Sequence, residues 1–340
     1  MREPAFWQRR SLPSAALLPL AALYGAIAAW RMKKPGLTPS VPVLCVGNYH
    51  GGGAGKTPTT LALVRLLREL DETPVVLSRG YGGRLQGPVL VDPATHQAGD
   101  VGDEPLMMAR DVPVVVAKDR QAGAALALSR RASVIVMDDG FQNPALAKDA
   151  ALIVIDGQRA IGNGRVMPAG PLRAPLPLQL ERTSALVIVG DGRAAEPLAA
   201  AVRDQGGLVL RAAFQPDAAV LERLRGRRLL AFAGIGDPDR FFATLRDNGL
   251  EVAASQPFPD HHPFSAAEIA ALADRARRDG LVPVTTEKDL ARLGAAPALE
   301  AAGLASFPVT LGFDDEAALR RFLAVQLAAA RDRRRAGSRS

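Results

Sequence analysis

The sequence predicts an α/β protein in which a mainly parallel sheet is sandwiched by helices and a second, smaller α/β domain follows. Short apolar runs typical of buried strands alternate with helical patterns, and a glycine-rich loop joins the first run to a long helix. The chain has 340 residues, more than one hydrophobic core usually serves. The predicted parts are an N-terminal membrane-associated helix (1–35), a larger domain (36–205), a smaller domain (206–328) and a disordered basic tail (329–340).

Composition narrows the functional classes. Apolar residues make up 48% and charged residues 23%, as in an ordinary globular protein. Cys45 is the single cysteine, which excludes a disulfide framework and a cysteine-cluster zinc site, and four histidines argue against a multi-histidine metal centre. The formal charge of +7 favours an anionic partner, such as a membrane surface or a phosphorylated substrate. Aromatic residues reach only 5%, which argues against nucleic acid, and nothing indicates an obligate protein partner.

Residues 11–30 form an uncharged stretch that would span about 30 Å as a helix. Such a stretch fits four structures: a helix lying in the membrane interface, a spanning anchor, a cleaved signal peptide or an ordinary buried helix. We favour the interfacial helix, because apolar side chains recur at spacings of three and four and basic residues flank both ends, where they would meet an anionic lipid surface. The apolar stripe comprises Leu20, Leu23, Tyr24, Ile27 and Trp30.

Regular elements can be placed along most of the chain. Strands are predicted at 41–46, 74–78, 112–117, 133–137, 151–155, 185–189, 229–233 and 282–285, and helices at 57–70, 120–130, 238–248 and 265–279. Ser265 and Glu268 have the spacing of a capping box at the start of the last helix. The stretch 162–177 is rich in proline and glycine, which indicates a functional loop.

The loop after the first strand ends in Gly55-Lys56-Thr57, the end of a P-loop. Glycines allow main-chain N–H groups to approach phosphate oxygens, and the following helix presents its N-terminus to the anion. Lys56 is expected on the β- and γ-phosphates of ATP, and the Thr57 hydroxyl on Mg²⁺. One departure is His50, which stands where the pattern usually begins with glycine. The predicted nucleotide-binding residues are Tyr49, His50, Gly51, Gly52, Gly53, Ala54, Gly55, Lys56 and Thr57.

A second nucleotide-site element follows the strand at 133–137, which runs into Asp138 and Asp139. An apolar strand that ends in aspartate delivers a carboxylate to the sheet edge beside the P-loop, where it can hold the Mg²⁺ shell. Asp-Asp-Gly is also a common turn, so the pairing with the P-loop carries the interpretation. The predicted metal ligands are Thr57, Asp138 and Asp139. Lys56 and Asp139 are also candidates for catalysis, and the fold is interpreted as P-loop NTPase-type.

Seven segments, in order along nearly the whole chain, resemble one family, the tetraacyldisaccharide 4′-kinases or lipid A 4′-kinases. They are Gly47–Pro58, Ser78–Gly82, Gly102–Pro105, Asp138–Gln142, Pro168–Arg173, Asp260–His262 and Thr285–Asp289. The resemblance implies an active site between a P-loop domain and a smaller α/β domain. It also implies transfer of the ATP γ-phosphate to the 4′-hydroxyl of a membrane-embedded tetraacyl disaccharide 1-phosphate. The expected location is the cytoplasmic face of the bacterial inner membrane, peripheral or with a single N-terminal anchor.

The resemblance further implies roles for individual residues. Asp103 is expected to act as the catalytic base, paired with His261, although the adjacent His262 is an alternative partner. Without that role, Asp103 would simply cap the helix that follows it. Ala174 departs from the family pattern, which usually has glutamate there. The predicted substrate-binding residues are Asn48, Tyr81, Gln142 and Arg173.

Two other functions are compatible with the nucleotide motifs. A P-loop ATPase switch acting on a protein or metal-delivery partner would also use a glycine-rich GKT loop and paired aspartates. A membrane-surface binding protein could hold ATP structurally, without catalysis. The kinase is distinguished from the switch because its fast ATP consumption should require a disaccharide lipid acceptor. The binding protein is distinguished by Lys56→Ala, which would leave its role intact.

Overall fold

The computed structural model describes residues 4–51 and 55–337, which form two β-sheets flanked by helices. A short 3₁₀ helix, Ala5–Trp7, comes first. The α-helices are α1 (Leu12–Ala16), α2 (Leu18–Met32), α3 (Lys56–Glu69), α4 (Ala98–Val101), α5 (Asp103–Met108), α6 (Arg120–Ser129), α7 (Leu176–Glu181), α8 (Glu196–Asp204), α9 (Ala218–Leu224), α10 (Pro238–Asp247), α11 (Ala266–Asp279), α12 (Glu287–Leu293), α13 (Pro297–Ala301) and α14 (Glu316–Gly337). The strands are β1 (Val43–Gly47), β2 (Pro74–Ser78), β3 (Val89–Leu90), β4 (Val114–Val116), β5 (Val134–Asp138), β6 (Ala150–Asp156), β7 (Ala185–Val189), β8 (Leu208–Pro216), β9 (Arg228–Ala233), β10 (Glu251–Pro257), β11 (Val282–Thr285), β12 (Ala305–Ser306) and β13 (Val309–Phe313).

The larger sheet has nine strands in the order β13-β8-β7-β6-β1-β5-β2-β4-β3. Neighbours from β8 to β4 pair in parallel, and the outer strands β13 and β3 pair antiparallel. Strands β1, β2, β5, β6 and β7 are buried at every position, because apolar layers cover both faces of the sheet. This burial explains why the sequence shows continuous apolar runs rather than alternation, and it confirms the predicted fold class.

The register of the central strands sets the position of the site. Strand β1 lies between β5 and β6, and Val46 pairs with Asp138. The loops that follow β1 and β5 therefore leave the sheet side by side, at its carboxyl edge. In a doubly wound parallel sheet, ligands bind in the crevice outside this edge.

The smaller sheet has four parallel strands in the order β10-β9-β11-β12. Helix α10 packs on one face through Phe241 and Leu245, and helix α11 covers the other face through Leu272. The predicted capping box is confirmed: the Glu268 main-chain N–H donates to Ser265 Oγ at 3.3 Å, and the Ser265 main-chain N–H donates to the Glu268 carboxylate at 2.8 Å. Helix α12 packs against α5 and so brings the smaller sheet to the P-loop unit.

Two boundaries differ from the sequence prediction. Strands β8 and β13 lie in the larger sheet, although the sequence assigned 206–328 to the smaller domain. The predicted disordered tail at 329–340 is wrong as far as residue 337, because α14 continues to Gly337. The helix persists because Leu319, Leu323 and Leu327 recur every four residues and are buried against the larger sheet's core.

Basic residues of the C-terminal helix bind acidic groups of the larger unit. Arg334 forms an ion pair with Asp149 at 2.7 Å and donates to the main-chain oxygens of Pro39 and Val41. Arg331 pairs with Glu72 at 2.7 Å. The basic run at the end of the chain therefore holds the helix to the domain, which a count of charges alone could not reveal.

The N-terminal apolar stretch forms two helices, α1 and α2, where the sequence predicted one. Each has proline in its first turn, which suits a helix start and prevents the preceding turn from continuing. Leu20, Leu23 and Trp30 are 57%, 62% and 62% exposed, so the predicted stripe faces away from the protein, whereas Ala21 and Met32 are buried. No described helix combines the length and apolar character needed to cross a membrane.

Candidate active site

The P-loop ends where α3 begins. Gly55 has φ of 90°, a left-handed conformation that favours glycine, and a Cβ there would lie 3.3 Å from the Phe214 ring. The following Lys56 places its Nζ 4.0 Å from Asp139 Oδ1, and Thr57 is buried beside it in the first turn. The predictions for Gly52, Gly53 and Ala54 lie outside the described residues.

Asp138 ends strand β5 as a nearly completely buried carboxylate. Ser78 Oγ donates to its Oδ2 at 3.4 Å, while its Oδ1 has no hydrogen-bond partner among residues 4–51 and 55–337. Burial raises the pKa of Asp138 to about 7, and the negative charges of Glu104 and Asp139 add to the rise. A buried carboxylate with an unused oxygen and acidic neighbours is suited to a cation.

The neighbouring Asp139 is held by two basic residues. Arg173 donates to it in a two-pronged manner, at 2.7 Å to Oδ1 and 3.3 Å to Oδ2. Burial acts to raise the pKa of Asp139, but the charges of Lys56 and Arg173 outweigh it and hold that pKa below its ordinary value. Arg173 was predicted to bind substrate, and its guanidinium contacts the second aspartate of the β5 loop.

The predicted acid–histidine contact is present. His261 Nδ1 donates to Asp103 Oδ2 over 3.1 Å, and the pair joins α5 of the larger unit to a loop of the smaller one. The alternative partner, His262, faces elsewhere: its Nε2 lies 2.9 Å from Glu268, and its ring stacks on Phe258. The structure thus separates the two adjacent histidines by contact, while the catalytic role of Asp103 and His261 stays a prediction.

The same aspartate also accepts from Arg292 Nη2 at 2.8 Å. Burial acts to raise the pKa of Asp103, but the hydrogen bonds from His261 and Arg292 and the charge of Lys288 hold it well below its usual range. The hydrogen bond to Asp103 raises the pKa of His261 against the opposing effect of burial. Both shifts favour the charged pair.

Further charges of the smaller unit reach helix α5. Lys288 Nζ lies 2.6 Å from the Glu104 carboxylate, and burial, which lowers the pKa of Lys288, is outweighed by Glu104 and Asp103. Arg292 also contacts the completely buried Asp289 at 3.0 Å. The acidic start of α5 is therefore enclosed by three cationic side chains from the smaller unit.

Three predicted residues take contacts that the sequence did not suggest. The Tyr49 ring is fully buried against Phe141 and its hydroxyl lies 2.6 Å from Thr183, so any nucleotide contact by Tyr49 would use its main chain. Asn48 is also buried, and its main-chain oxygen accepts from Gln142 Nε2 at 2.7 Å. Gln142 was predicted to bind substrate, and both of its amide protons are used within the protein.

Other residues of the site were missed at the sequence level. Arg120, the first residue of α6, is 2% exposed and its Nη1 has no hydrogen-bond partner among the described residues. Burial lowers its pKa against the charge of Asp138. The sequence signal that could have identified Arg120 is its position, as a cation four residues after the carboxyl end of the β4 strand. Lys288 and Glu104 lay inside segments used for the resemblance, but nothing in the sequence showed that they pair.

A cavity of about 690 Å³ opens beside the Asp103–His261 pair. It lies between the segment 93–110 and the smaller unit's residues 261–264 and 291–295. The Tyr81 ring is 71% exposed at its edge and packs against His261 at 5.6 Å between centroids. This volume is ordinary for a small-molecule site, and the lining mixes polar and apolar side chains.

Comparisons with known proteins agree with this geometry. The model of the LpxK family, tetraacyldisaccharide-1-P 4'-kinase, matches residues 13–328. A tetraacyldisaccharide 4'-kinase of Rhodopseudomonas palustris (strain BisA53) is 72% identical over 339 residues and covers both chains completely. One from Bradyrhizobium sp. (strain BTAi1 / ATCC BAA-1182) is 64% identical over 336 residues, covering 98% of this chain and 97% of its own.

A solved structure extends the likeness to three dimensions. The "apo" form of LpxK from Aquifex aeolicus, in complex with ATP, superposes with a TM-score of 0.72 at 27% identity. The match covers 93% of this chain and all of that one. A family match over most of the sequence and relatives identical at well above half of their positions give the same answer, so this chain belongs to the tetraacyldisaccharide-1-P 4'-kinase family.

Proposed function

We propose that this protein transfers the γ-phosphate of ATP to the 4′-hydroxyl of a tetraacyl disaccharide 1-phosphate, a step of lipid A biosynthesis. The observation that carries the proposal is the Asp103–His261 pair, which lines a cavity and whose aspartate begins a helix, α5, that packs against α3 of the P-loop in a chain of this family. Such an arrangement brings a proton acceptor, an acceptor pocket and a nucleotide site to one crevice, as phosphoryl transfer to an alcohol requires.

ATP would bind with its triphosphate over the start of α3. The main-chain N–H groups there and the Lys56 ammonium would neutralise phosphate oxygens. Arg173 and Arg120 are further cations at this edge, and one oxygen of Asp138 and one nitrogen of Arg120 have no hydrogen-bond partner among the described residues. A site built this way is prepared for a ligand that carries both negative charge and a bound cation.

Mg²⁺ fits the same residues. Thr57, Asp138 and Asp139 would hold it. Burial and the negative charges of Glu104 and Asp139 raise the pKa of Asp138 to about 7, and a bound cation would offset these effects. No group of three or more His, Cys, Asp or Glu side chains suited to a metal occurs in the described part of the chain, which is compatible with an ion that takes most of its ligands from phosphate and water. When bound, Mg²⁺ would neutralise charge that develops on the transferred phosphate.

Asp103 would accept the proton of the sugar hydroxyl. Its depressed pKa keeps it ionised at every working pH, so it is always in the accepting form, although as a weak base. A loose transition state places little demand on the base before phosphate has moved, so a late proton transfer suffices. His261, protonated in the charged pair and 36% exposed in its side chain, would then release its own proton to solvent, so that one proton leaves the site for each hydroxyl deprotonated.

The N-terminal helices would bring the enzyme to its lipid substrate. Acyl chains remain in the bilayer because each buried CH₂ is worth about 0.8 kcal/mol. The exposed stripe on α2 would insert into the interface of the cytoplasmic leaflet, with Lys33 and Lys34 near anionic headgroups. Replacing Leu23 and Trp30 with serine should reduce flotation with anionic vesicles while leaving nucleotide affinity unchanged; unchanged flotation would contradict this docking.

The decisive experiment is radiolabelled γ-phosphate transfer to the tetraacyl disaccharide 1-phosphate. Wild type should form labelled product that depends on the acceptor and on Mg²⁺, and Lys56→Ala should lose at least about 100-fold in rate because a phosphate-neutralising charge is gone. Lys118→Ala, at an exposed lysine, is the matched control and should keep wild-type rates. ATP consumption that ignores the acceptor, with no labelled lipid, would instead favour an ATPase switch.

A further inference from the structure

Gln179 is a completely buried polar residue on the short helix α7, and no motif in the sequence pointed to it. A buried amide must find partners for two donors and one acceptor, or desolvation costs more than the contact gains. Gln179 finds them on three separate segments of the chain. These segments are the start of the P-loop, the loop after β5 and the loop that carries Arg173.

The contacts are short and specific. Gln179 Nε2 donates to the main-chain oxygen of Ala174 at 2.8 Å and, more weakly, to that of Tyr49 at 3.4 Å. Gln179 Oε1 accepts from Gln142 Nε2 at 2.9 Å, and the second proton of that nitrogen goes to Asn48. One amide side chain thus connects Asn48–Tyr49, Gln142 and Ala174.

Each connected segment belongs to one part of the nucleotide site. Asn48 and Tyr49 lie at the carboxyl end of β1 and begin the P-loop, and Gln142 lies three residues after Asp139. Ala174 directly follows Arg173, whose main-chain N–H donates to the Tyr49 oxygen at 2.8 Å. The Arg173–Asp139 ion pair is therefore fixed from both of its ends by the same buried amide network.

We infer that Gln179 is a positioning residue for phosphoryl transfer, which sets the P-loop, the Asp138–Asp139 loop and Arg173 in register with one another. The effect of Gln179 on catalysis rests on the proposed function, whereas its effect on nucleotide binding does not. It explains why a fully buried helix position carries an amide rather than an apolar side chain. It also gives Gln142 a role as the link between Gln179 and the loop that carries Asp138 and Asp139.

The physical consequence is a selective loss of alignment. Removing the amide leaves the buried carbonyl of Ala174 and one amide proton of Gln142 without the Gln179 contact, so the loops must shift to satisfy them. A displacement of about 1 Å at reacting groups can cost about 100-fold in rate. A residue that only filled the core would lower thermal stability without such a loss.

The test compares Gln179→Met, which keeps side-chain length without polar atoms, with Leu178→Ala on the same helix. Leu178 is also buried but belongs to the apolar core, so its truncation lowers the melting temperature without touching the amide network. Gln179→Met should lower kcat at least tenfold and weaken Mg-ATP binding several-fold by calorimetry. Leu178→Ala should stay within twofold of wild type on both measures at an equal or greater loss of melting temperature.

A double-mutant cycle isolates the link itself. Gln142→Met should reproduce part of the loss, and the double variant Gln142→Met/Gln179→Met should lose less than the sum of the two single variants, because each single variant already removes the shared Gln142–Gln179 contact. Gln179→Glu adds a pH readout: its protonated carboxyl can donate and accept like the amide, so its kcat relative to wild type should rise as pH falls. This variant also supplies the comparison if Gln179→Met folds poorly.

The overturning results are separate from failure of the kinase assignment. Equal kcat and Mg-ATP affinity for Gln179→Met and Leu178→Ala, or full additivity in the cycle, would reduce Gln179 to a core residue. If wild type binds Mg-ATP but does not phosphorylate the disaccharide, the proposed function fails while the calorimetric comparison still decides the role of Gln179.

Discussion

The two sides of the active site are held by opposite kinds of chemistry. Where the smaller unit meets α5, the contacts are ionic: His261 and Arg292 bind Asp103, and Lys288 binds Glu104. Where the three loops of the larger unit meet, the contacts through Gln142 and Gln179 are neutral amide hydrogen bonds. One side can respond to pH and to an entering charge, and the other cannot.

This difference matches what each side has to do. The ionic side lines the cavity beside the proton acceptor, so its charges must be able to change partner or protonation when substrates enter. Buried ion pairs are costly to break but do not by themselves add stability, which suits a contact kept for function. The neutral side fixes a geometry, and an amide network that is fully satisfied does so without depending on pH.

The largest expected effect is at the proton acceptor. Asp103→Asn keeps the shape of the side chain but removes the negative charge that accepts the proton and binds His261 and Arg292. We expect kcat for disaccharide phosphorylation to fall by about 10²–10⁴-fold with nucleotide affinity largely retained. Asp100→Asn, at the neighbouring acid that pairs with Arg84, is the control. A kcat for Asp103→Asn within threefold of that control would place the base elsewhere.

Arg292→Met should have the next largest effect, because it leaves Asp103 and the completely buried Asp289 without their shared cation. We expect a loss of about 3 kcal/mol in the free energy of unfolding. Because Arg292 helps to lower the pKa of Asp103, the acid limb of the kcat/KM profile should move to higher pH. Denaturant unfolding measures the loss of stability, and kcat/KM measured across pH shows the shift of the acid limb.

The control for Arg292 is Arg334→Met, which breaks the similarly buried pair with Asp149 far from the crevice. It should lower stability by a comparable amount and leave the pH profile in place. A profile that moves equally in both variants, or in neither, would show that Arg292 does not tune Asp103.

The sequence predicted those features that depend on residues close together in the chain. Strands such as β2 and β7 match their apolar runs residue for residue, because burial on both faces is a local property of the sequence. The start of α11 was also readable, since a capping box is a contact over three residues. The contact of Asp103 with His261 was reached only through the family resemblance, because 158 residues separate them.

What the sequence could not supply is the partner of a distant polar side chain. Arg292 and Gln179 lie on short helices that the sequence analysis did not predict, and their roles depend on elements far away in the chain. The prediction of a disordered tail was wrong for the same reason. A basic run predicts disorder only while the acidic residues that bind it, Glu72 and Asp149, are unknown. In each case the local pattern was compatible with several surroundings, and tertiary packing chose among them.

The smallest expected effect tests the comparison itself through pH. His261 faces Asp103, Asp260 and Lys288, and its pKa is raised, chiefly by the hydrogen bond to Asp103. A raised folded-state pKa contributes stability that is complete below the unfolded-state pKa and is lost as pH rises through the folded-state value. The stability advantage of wild type over His261→Gln should therefore shrink as the pH rises above the ordinary histidine pKa of about 6.5. At a side chain 36% exposed, the change should be about 1 kcal/mol or less.

The stability cost of Gln142→Met, measured by the same denaturant titrations, should not change over that range, because no ionisable group belongs to its contacts. A cost at Gln142 that varies with pH as strongly as that at His261 would mean that the two sides of the site are not chemically distinct.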